Sequence, residues 1–482
     1  MLTRIAARPA ALPHDPQTLR TMADQVFSRT AGAPVVAGNG LRVLRDAAEN
    51  YPAWDSAIDR ARLSVHVEMY IIHFDDVGRR FIERLAARAR AGVAVRLVYD
   101  WFGCGTAPLR GLFTPLIKAG GEVRAFNPPT LTSALGWIRR NHRKMLVIDN
   151  HVAFVSGLCV GEEWLGRPDR QQEPWRDTGV EIIGPAVSHA AASFAESWRL
   201  AGGNAADCLV FSHDHTEPGG KVHLRLIPTE PFTANLLRLD LLIASLARKT
   251  LWLTDAYFIG TGPYLEALRR AARDGVDVRI LLPQGSDVGW TVPISRSLYR
   301  PLLEAGVRIF EWNGTMIHAK TAIADSRWAR IGSTNLNLNS WIGNWELDVA
   351  IEDGDVAATL EEHYLADLER STEIVLKPKP GPMREANQAP LRARPASRRQ
   401  RSSRRVVRTV TGVSRSLGAA VSGNRPLEDF EAVSILSAGL FLTATALTAF
   451  FAPRAIAWPV ALVCTWMAVT FLVEAWTLWR KR

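Results

Sequence analysis

Apolar and polar positions along this chain fall into two parallel series. The first runs AIDRARLSVHVEMYII, then GRRFIERLAARARAGVAVRLVYD, then LIKAGGEVRAF. The second runs LIASLARKTLWLTDAYFIG, then YLEALRRAARDGVDVRILLP, then LLEAGVRIFEW. Each series predicts helix, strand, helix, strand, helix, strand, and each is followed by a hairpin-like pair of short strands. In both, an Ala/Arg/Leu-rich helix stops at a glycine, Gly92 or Gly275, and feeds a β-branched strand. The expectation is two duplicated α/β/α lobes with mixed sheets.

Turn formers cluster in AGGNAADC and HDHTEPGGK, so the break between lobes is placed near residue 212. The resulting scheme is an N-terminal extension (1–40), lobe 1 (41–212), lobe 2 (213–376), a linker (377–430) and a closing apolar segment (431–482). The linker is rich in proline, serine and arginine and unsuited to packing a core. Within it, Val406, Val410, Val413 and Leu417 share one helical face while Arg404, Arg408 and Arg415 lie elsewhere. That pattern reads as a membrane-surface helix or as an unstructured basic stretch.

Two uncharged runs close the chain, Ala432–Phe451 and Ala455–Val473, separated only by APR. They approach bilayer-spanning length and predict a transmembrane helical hairpin, the alternative being a buried core hairpin. Arginines crowd its near side and Arg480, Lys481 and Arg482 follow it, with Arg454 alone at the turn. The positive-inside tendency then puts both ends and the whole globular part in the cytoplasm. Trp476 and Trp479 are placed at the interface.

The net charge of +10 invites a nucleic-acid reading until it is located. Residues 377–482 hold 17 Lys+Arg against 5 Asp+Glu, whereas residues 1–376 hold 41 against 43. The globular part is near neutral, which weighs against a nuclease. Four cysteines (Cys104, Cys159, Cys208, Cys464) show neither disulfide nor zinc spacing. The N-terminus has no apolar core of signal-peptide length.

The chemistry lies in a motif that occurs twice, His-x-Lys-x-x-x-x-Asp. One copy is His142, Lys144 and Asp149; the other is His318, Lys320 and Asp325. On a strand, alternate side chains share a face, so each histidine points with its lysine. A neutral imidazole attacks an electrophile, and a neighbouring ammonium holds an anionic one, a combination that suits a phosphoryl group. In this arrangement no metal or other cofactor is required. In an in-line displacement, attacking and leaving groups lie on opposite sides of phosphorus. Two copies facing each other supply a nucleophile on one side and a general acid, then base, on the other. After the second copy come Ser333 and Asn335, which can donate to phosphate oxygens, and Asn344 with Glu346, whose carboxylate can fix an imidazole tautomer.

These residues, with HRKMLVID, WRDTGVEIIGPAV, HAKTAIAD, GSTNLN and NWELDV, resemble the phospholipase D superfamily. Within it they resemble bacterial cardiolipin synthases of the type without an N-terminal membrane hairpin, over residues 40–375. The resemblance implies two phospholipase D-like lobes and a phosphatidyltransferase acting through a phosphohistidine. It implies phospholipid substrates, phosphatidylglycerol first, and an anionic membrane surface as partners. The implied location is the bacterial plasma (inner) membrane. It assigns His142 as nucleophile and His318 as acid/base, with Lys144, Lys320, Ser333 and Asn335 binding phosphate. Asp177 is expected to orient His142 and Glu346 to orient His318, while Asp149 and Asp325 complete the motifs and brace the site. Glu68 with Tyr70, and Asp255 with Tyr257, stand in corresponding places as pocket residues, strand-end packing being the other reading. Lobe 1 departs from the family at Cys159, where asparagine is usual, and at Gly179, where many relatives have histidine. A hydrolytic phospholipase D is the near alternative, and a nuclease of the same superfamily the distant one.

Overall fold

The computed structural model describes residues 16–129, 139–208 and 218–376, the pair Arg425–Pro426, and isolated positions between 443 and 469. After helix α1 (Pro16–Ala31), the first half runs β1 (Val36–Arg45), α2 (Asp46–Arg60), β2 (Ser64–Met69), α3 (Asp76–Arg90), β3 (Ala94–Asp100), α4 (Thr114–Lys118) and β4 (Glu122–Phe126). It continues with β5 (Met145–Ile148), β6 (Val152–Ser156), α5 (Glu162–Leu165), β7 (Thr178–Ile183) and α6 (Val187–Leu200). The second half opens with β8 (Val222–Thr229), α7 (Asn235–Leu246), β9 (Thr250–Thr254), α8 (Gly262–Arg273), β10 (Asp277–Pro283), α9 (Thr291–Ser297), α10 (Tyr299–Ala305) and β11 (Arg308–Trp312). It ends with β12 (Thr321–Ala324), β13 (Trp328–Gly332), α11 (Leu338–Ile342), β14 (Glu346–Glu352), α12 (Gly354–Glu369) and β15 (Ser371–Val375).

The strand order is β4-β3-β2-β5-β6-β7-β1-β8-β14-β13-β12-β9-β10-β11-β15, with Arg425–Pro426 as a short edge beyond β15. Read outward from the β1–β8 junction, the two halves list corresponding strands in mirrored order, as a duplication requires. The half-sheets are not separate. β1 pairs antiparallel with both β7 and β8, so one mixed sheet crosses the molecule. Residues 16–40 of the N-terminal extension pack onto this body. β1 begins at Val36, and α1 delivers Phe27 and Ala31 to the core beneath α7.

Strands buried on both faces read as continuous apolar runs, and the sheet is covered on both sides. In β5, Met145 and Val147 face one core while Leu146 and Ile148 face another. The first of these cores runs under α6 and α12 and spans both halves. The other two fill the opposite face, one under α2 and α3, one under α7, α8 and α10. Gly92 (φ +88°) and Gly275 (φ +100°) take the left-handed conformation that ends α3 and α8 before β3 and β10.

β2, β3 and β4 run parallel, as do β9, β10 and β11, so within each half their C-terminal ends emerge on one side. Ligand sites of open α/β sheets gather there. The two apolar runs 432–451 and 455–473 and the linker lie outside the described residues, apart from isolated positions. Among the described residues, no helix is long and apolar enough to cross a membrane.

Candidate active site

Each histidine sits just ahead of a four-residue strand, His142 before β5 and His318 before β12. Both are held there by backbone bonds to the other half. His142 N donates to Trp345 O at 2.8 Å and Trp345 N to Arg140 O at 2.9 Å. In the second copy His318 N donates to Arg176 O at 2.7 Å and Arg176 N to Met316 O at 2.9 Å. Two parallel bridges therefore cross between the halves, Asn141 with Trp345 and Arg176 with Ile317.

The bridges decide which carboxylate serves which imidazole. His142 Nδ1 donates to Glu346 Oε2 at 2.8 Å, and His318 Nδ1 to Asp177 Oδ2 at 2.7 Å. This reverses the pairing expected within each half, where Asp177 was matched to His142 and Glu346 to His318. The cause is the backbone: Trp345 precedes Glu346 and Arg176 precedes Asp177, so each bridge carries its carboxylate across. With Nδ1–H engaged, the neutral ring presents the lone pair of Nε2.

Both carboxylates are buried, and each is pinned by its own neighbours. Glu346 accepts from Ser333 Oγ at 2.6 Å and Asn344 Nδ2 at 3.2 Å. Asp177 accepts from Trp164 Nε1 at 3.1 Å and Thr178 N at 2.8 Å. Burial pushes both carboxyls up. For Asp177, His318 and Lys320 outweigh it; for Glu346, His142, Lys144 and Ser333 do so, and both stay ionised below the usual range.

The lysines are buried beside the histidines. Lys144 Nζ donates to His142 O at 2.6 Å, and Lys320 Nζ donates to His318 O and lies 2.9 Å from His318 Nδ1. Desolvation pulls both ammonium pKa values down, that of Lys320 to about 8. Desolvation also lowers both histidines, His142 to about 4, and the lysine charges add to it. Each histidine feels the lysine of the opposite half as well as its own: His142 responds to Lys320 and His318 to Lys144. The two motifs thus form one electrostatic site.

The tyrosines close its walls. Tyr70 stands edge-on to His142 at 4.7 Å and Tyr257 to His318 at 5.9 Å between centroids. Their carboxylate companions face away from the imidazoles. Glu68 accepts from Asn141 Nδ2 at 2.6 Å, and Asp255 accepts from Leu336 N at 2.9 Å and Tyr257 N at 3.1 Å. Nor do these two occupy equivalent strand positions. The aspartate turns equate Ser64 with Thr250, so Glu68 corresponds to Thr254 and Asp255 is one residue further on.

Asp149 and Asp325 take no part at the reacting centre. Each lies at the far end of its strand, about 16 Å of extended chain from its lysine. Each stands in a left-handed turn with its successor (φ +52° and +49°; +53° and +53°). Asp149 accepts from the N–H groups of Arg62, Leu63 and Ser64, and Asp325 from those of Arg248, Lys249 and Thr250. They tie the hairpin to the start of the neighbouring strand and so fix the strand that aims the histidine.

Asn335 is buried with Oδ1 lacking a protein partner among the described residues, as a ligand-facing amide would be. Its counterpart Cys159 is buried among apolar side chains of the first-half core, and burial pushes its thiol up despite Lys144. Gly179 lies in β7, where a Cβ would stand 2.1 Å from Asn50 Oδ1, so a larger residue requires Asn50 to move.

The sequence model described as "Cardiolipin synthase, PLD-like domain" matches residues 55–162 and 242–368, one match over each motif. The cardiolipin synthase of Alkalihalophilus pseudofirmus is 33% identical over 352 residues, covering 71% of this chain and 68% of that protein. The chain belongs to the cardiolipin synthase family of phospholipase D-like enzymes. Cardiolipin synthase A of Pseudomonas fluorescens is 34% identical over 352 residues, covering 71% of each chain. The crystal structure of phosphatidylserine synthase from Haemophilus influenzae shares the fold, with a TM-score of 0.56, 15% identity, and coverage of 73% of this chain and 92% of that one.

In this cardiolipin synthase-family chain, three site residues escaped the sequence reading. Arg176, beside Asp177, is buried and donates Nε to Asp367 at 2.9 Å and NH1 to Asp46 Oδ1 at 3.2 Å, joining α12 to α2. Arg143, between His142 and Lys144, reaches Glu346 O at 3.1 Å and Ser197 Oγ at 3.0 Å. An arginine next to a motif residue, at the entry to a buried strand, was the available signal for both. Trp164 gave none, since GEEW reads as an ordinary helix.

Proposed function

We propose that this phospholipase D-type phosphatidyltransferase makes cardiolipin from two molecules of phosphatidylglycerol. The observation that carries the reading is the crossed pair of carboxylate-held imidazoles, each within the field of both lysines. The phosphodiester anion binds between Lys144, Lys320, Ser333 and Asn335. Nε2 of neutral His142 attacks phosphorus, forming a P–N bond as the P–O bond to the glycerol headgroup breaks. Protonated His318 gives its proton to the departing alkoxide, and glycerol leaves. The free hydroxyl of a second phosphatidylglycerol then loses its proton to His318 and attacks phosphorus, and the P–N bond breaks. At rest, the low pKa of His142 keeps it an unprotonated nucleophile across the neutral range. The incoming anion offsets the lysine charges and lets His318 take up its proton.

The terminal apolar runs form a hairpin in the plasma membrane with the catalytic part in the cytoplasm. The arginine-rich linker meets the anionic leaflet, at roughly 1 kcal/mol per basic residue near the surface. The test is incubation of the purified full chain with phosphatidylglycerol vesicles, followed by mass spectrometry. Cardiolipin with stoichiometric glycerol supports the proposal. Phosphatidic acid instead would make the enzyme a hydrolase, in which water takes the place of the second lipid.

A further inference from the structure

We infer that the catalytic body carries its own bilayer-docking rim around the mouth of the site, separate from the C-terminal tail and resting on the lipid-substrate reading above. Between residues 16 and 376, three described phenylalanine or tryptophan side chains are exposed: Phe102 (52%), Phe232 (73%) and Trp290 (63%). All three stand in loops leaving the C-terminal ends of strands, after β3, β8 and β10. Leu109, at 88% the most exposed large apolar side chain among the described residues, follows Phe102 in the same loop. The exposed apolar residues elsewhere on the body, such as Leu63, Ile117 and Leu200, are scattered aliphatics of the kind any soluble surface shows.

Each ring is tied to the site by a short chain of contacts. Phe102 N donates to Asp100 Oδ1, and the other oxygen of Asp100 accepts from Asn141 N, next to His142. Trp290 lies three residues beyond Asp287, which accepts from Tyr257 OH at 2.8 Å, and Tyr257 faces His318. Phe232 N donates to Ile342 O, at the end of the helix that follows Asn335. The rings therefore stand on three loops that each reach back to the surroundings of the two imidazoles.

Charge completes the match. Arg139 and Arg140, one residue short of the first motif, lie against two of these rings, at 4.8 Å from Phe232 and 3.9 Å from Phe102. Aromatic rings interleaved with arginines fit the headgroup layer of an anionic bilayer: rings enter the acyl boundary and guanidiniums remain at the phosphates. A protein partner of mixed charge would gain nothing from three isolated rings interleaved with arginines. Seated this way, the site draws substrate directly from the leaflet.

The test uses the full chain and the triple variant Phe102→Ser, Phe232→Ser, Trp290→Ser, with unchanged thermal unfolding as the folding control. Turnover is compared on phosphatidylglycerol vesicles and on a short-chain phosphatidylglycerol below its micellar concentration. The expected result is a fall of tenfold or more on vesicles and a change of less than twofold on the dispersed lipid. An equal fall on both, or none on either, overturns the rim. A second arm needs no turnover. Vesicles of acyl-brominated phosphatidylglycerol should quench more fluorescence in the wild type than in Trp290→Phe, and equal quenching overturns the rim. If the wild type converts neither lipid, the proposed activity fails while the quenching arm still decides the docking surface.

Discussion

The two halves carry the same reacting groups on unlike supports. Behind the second histidine, buried Arg330 pairs with Asp348 at 3.1 Å and faces Asp240 at 3.7 Å, while Thr334 donates to Asp348. At the matching positions of the first half stand Phe154, Gly179 and Leu158, an apolar patch in place of an ionic cluster. The straps differ too. Arg176 bonds Asp367 and Asp46, whereas its counterpart Trp345 packs edge-on to Phe126 at 4.9 Å. Duplication has preserved the histidine–lysine pairs and relaxed how they are held. Equal chemistry at the centre and unequal sensitivity behind it should be separable by substitution.

The largest expected effect tests the equality. His142→Ala and His318→Ala should each lower lipid conversion by about 10³-fold or more, and the double variant should be little worse than either, because the pair acts as a unit. Independent, multiplying losses would mean two separate sites. A smaller effect on turnover is expected from the crossed partners. Glu346→Gln and Asp177→Asn should lower kcat by roughly 10²- to 10⁴-fold through loss of tautomer and orientation. In trapping experiments Glu346→Gln should abolish phosphohistidine, while Asp177→Asn should retain it with a delayed second step. The reverse outcome would restore the within-half pairing.

The unequal supports predict unequal stability. Arg330→Met leaves Asp348 and Asp240 without their counter-ion and should cost about 3–5 kcal/mol by denaturant unfolding. Phe154→Leu at the matching position should cost nearer 1 kcal/mol. Equal costs would show that the ionic cluster is incidental.

The smallest effect is a pH slope. His66, stacked on Phe194 at 4.7 Å, is buried with neither ring nitrogen bonded among the described residues, and its position in the second half is taken by Trp252. Burial, reinforced by Arg96, lowers its pKa to about 3 from an ordinary 6.5. The unfolded chain therefore binds a proton that the native state refuses. This contribution is whole above pH 6.5 and declines as pH falls toward 3. His66→Phe should flatten the acid limb of the stability profile by on the order of a few kcal/mol at pH 4, and an unchanged limb would refute it.

Much of this was legible in the sequence because it is local. The repeated periodicities placed the strands, and the twofold histidine–lysine spacing located the centre. Gly92 and Gly275 marked the helix ends. The crossed pairing was not legible, since it depends on Trp345 and Arg176 bridging between halves some 200 and 140 residues apart in sequence. Spacing within a half cannot encode such a contact. The offset between Glu68 and Asp255 was hidden for a related reason: tyrosines one strand position apart still meet equivalent histidines when the strand ends differ. The continuity of the sheet through β1 and β8 was likewise a property of two edges, neither of which announces its neighbour.

Because each imidazole borrows its counter-ion from across the seam, the molecule has one reaction centre that neither half owns. Damage confined to the first two hundred residues can silence the histidine at 318, and damage near the end of the second half can silence the one at 142. Halves produced as separate polypeptides should be inert until they reassociate, and the return of turnover would time the closing of the seam.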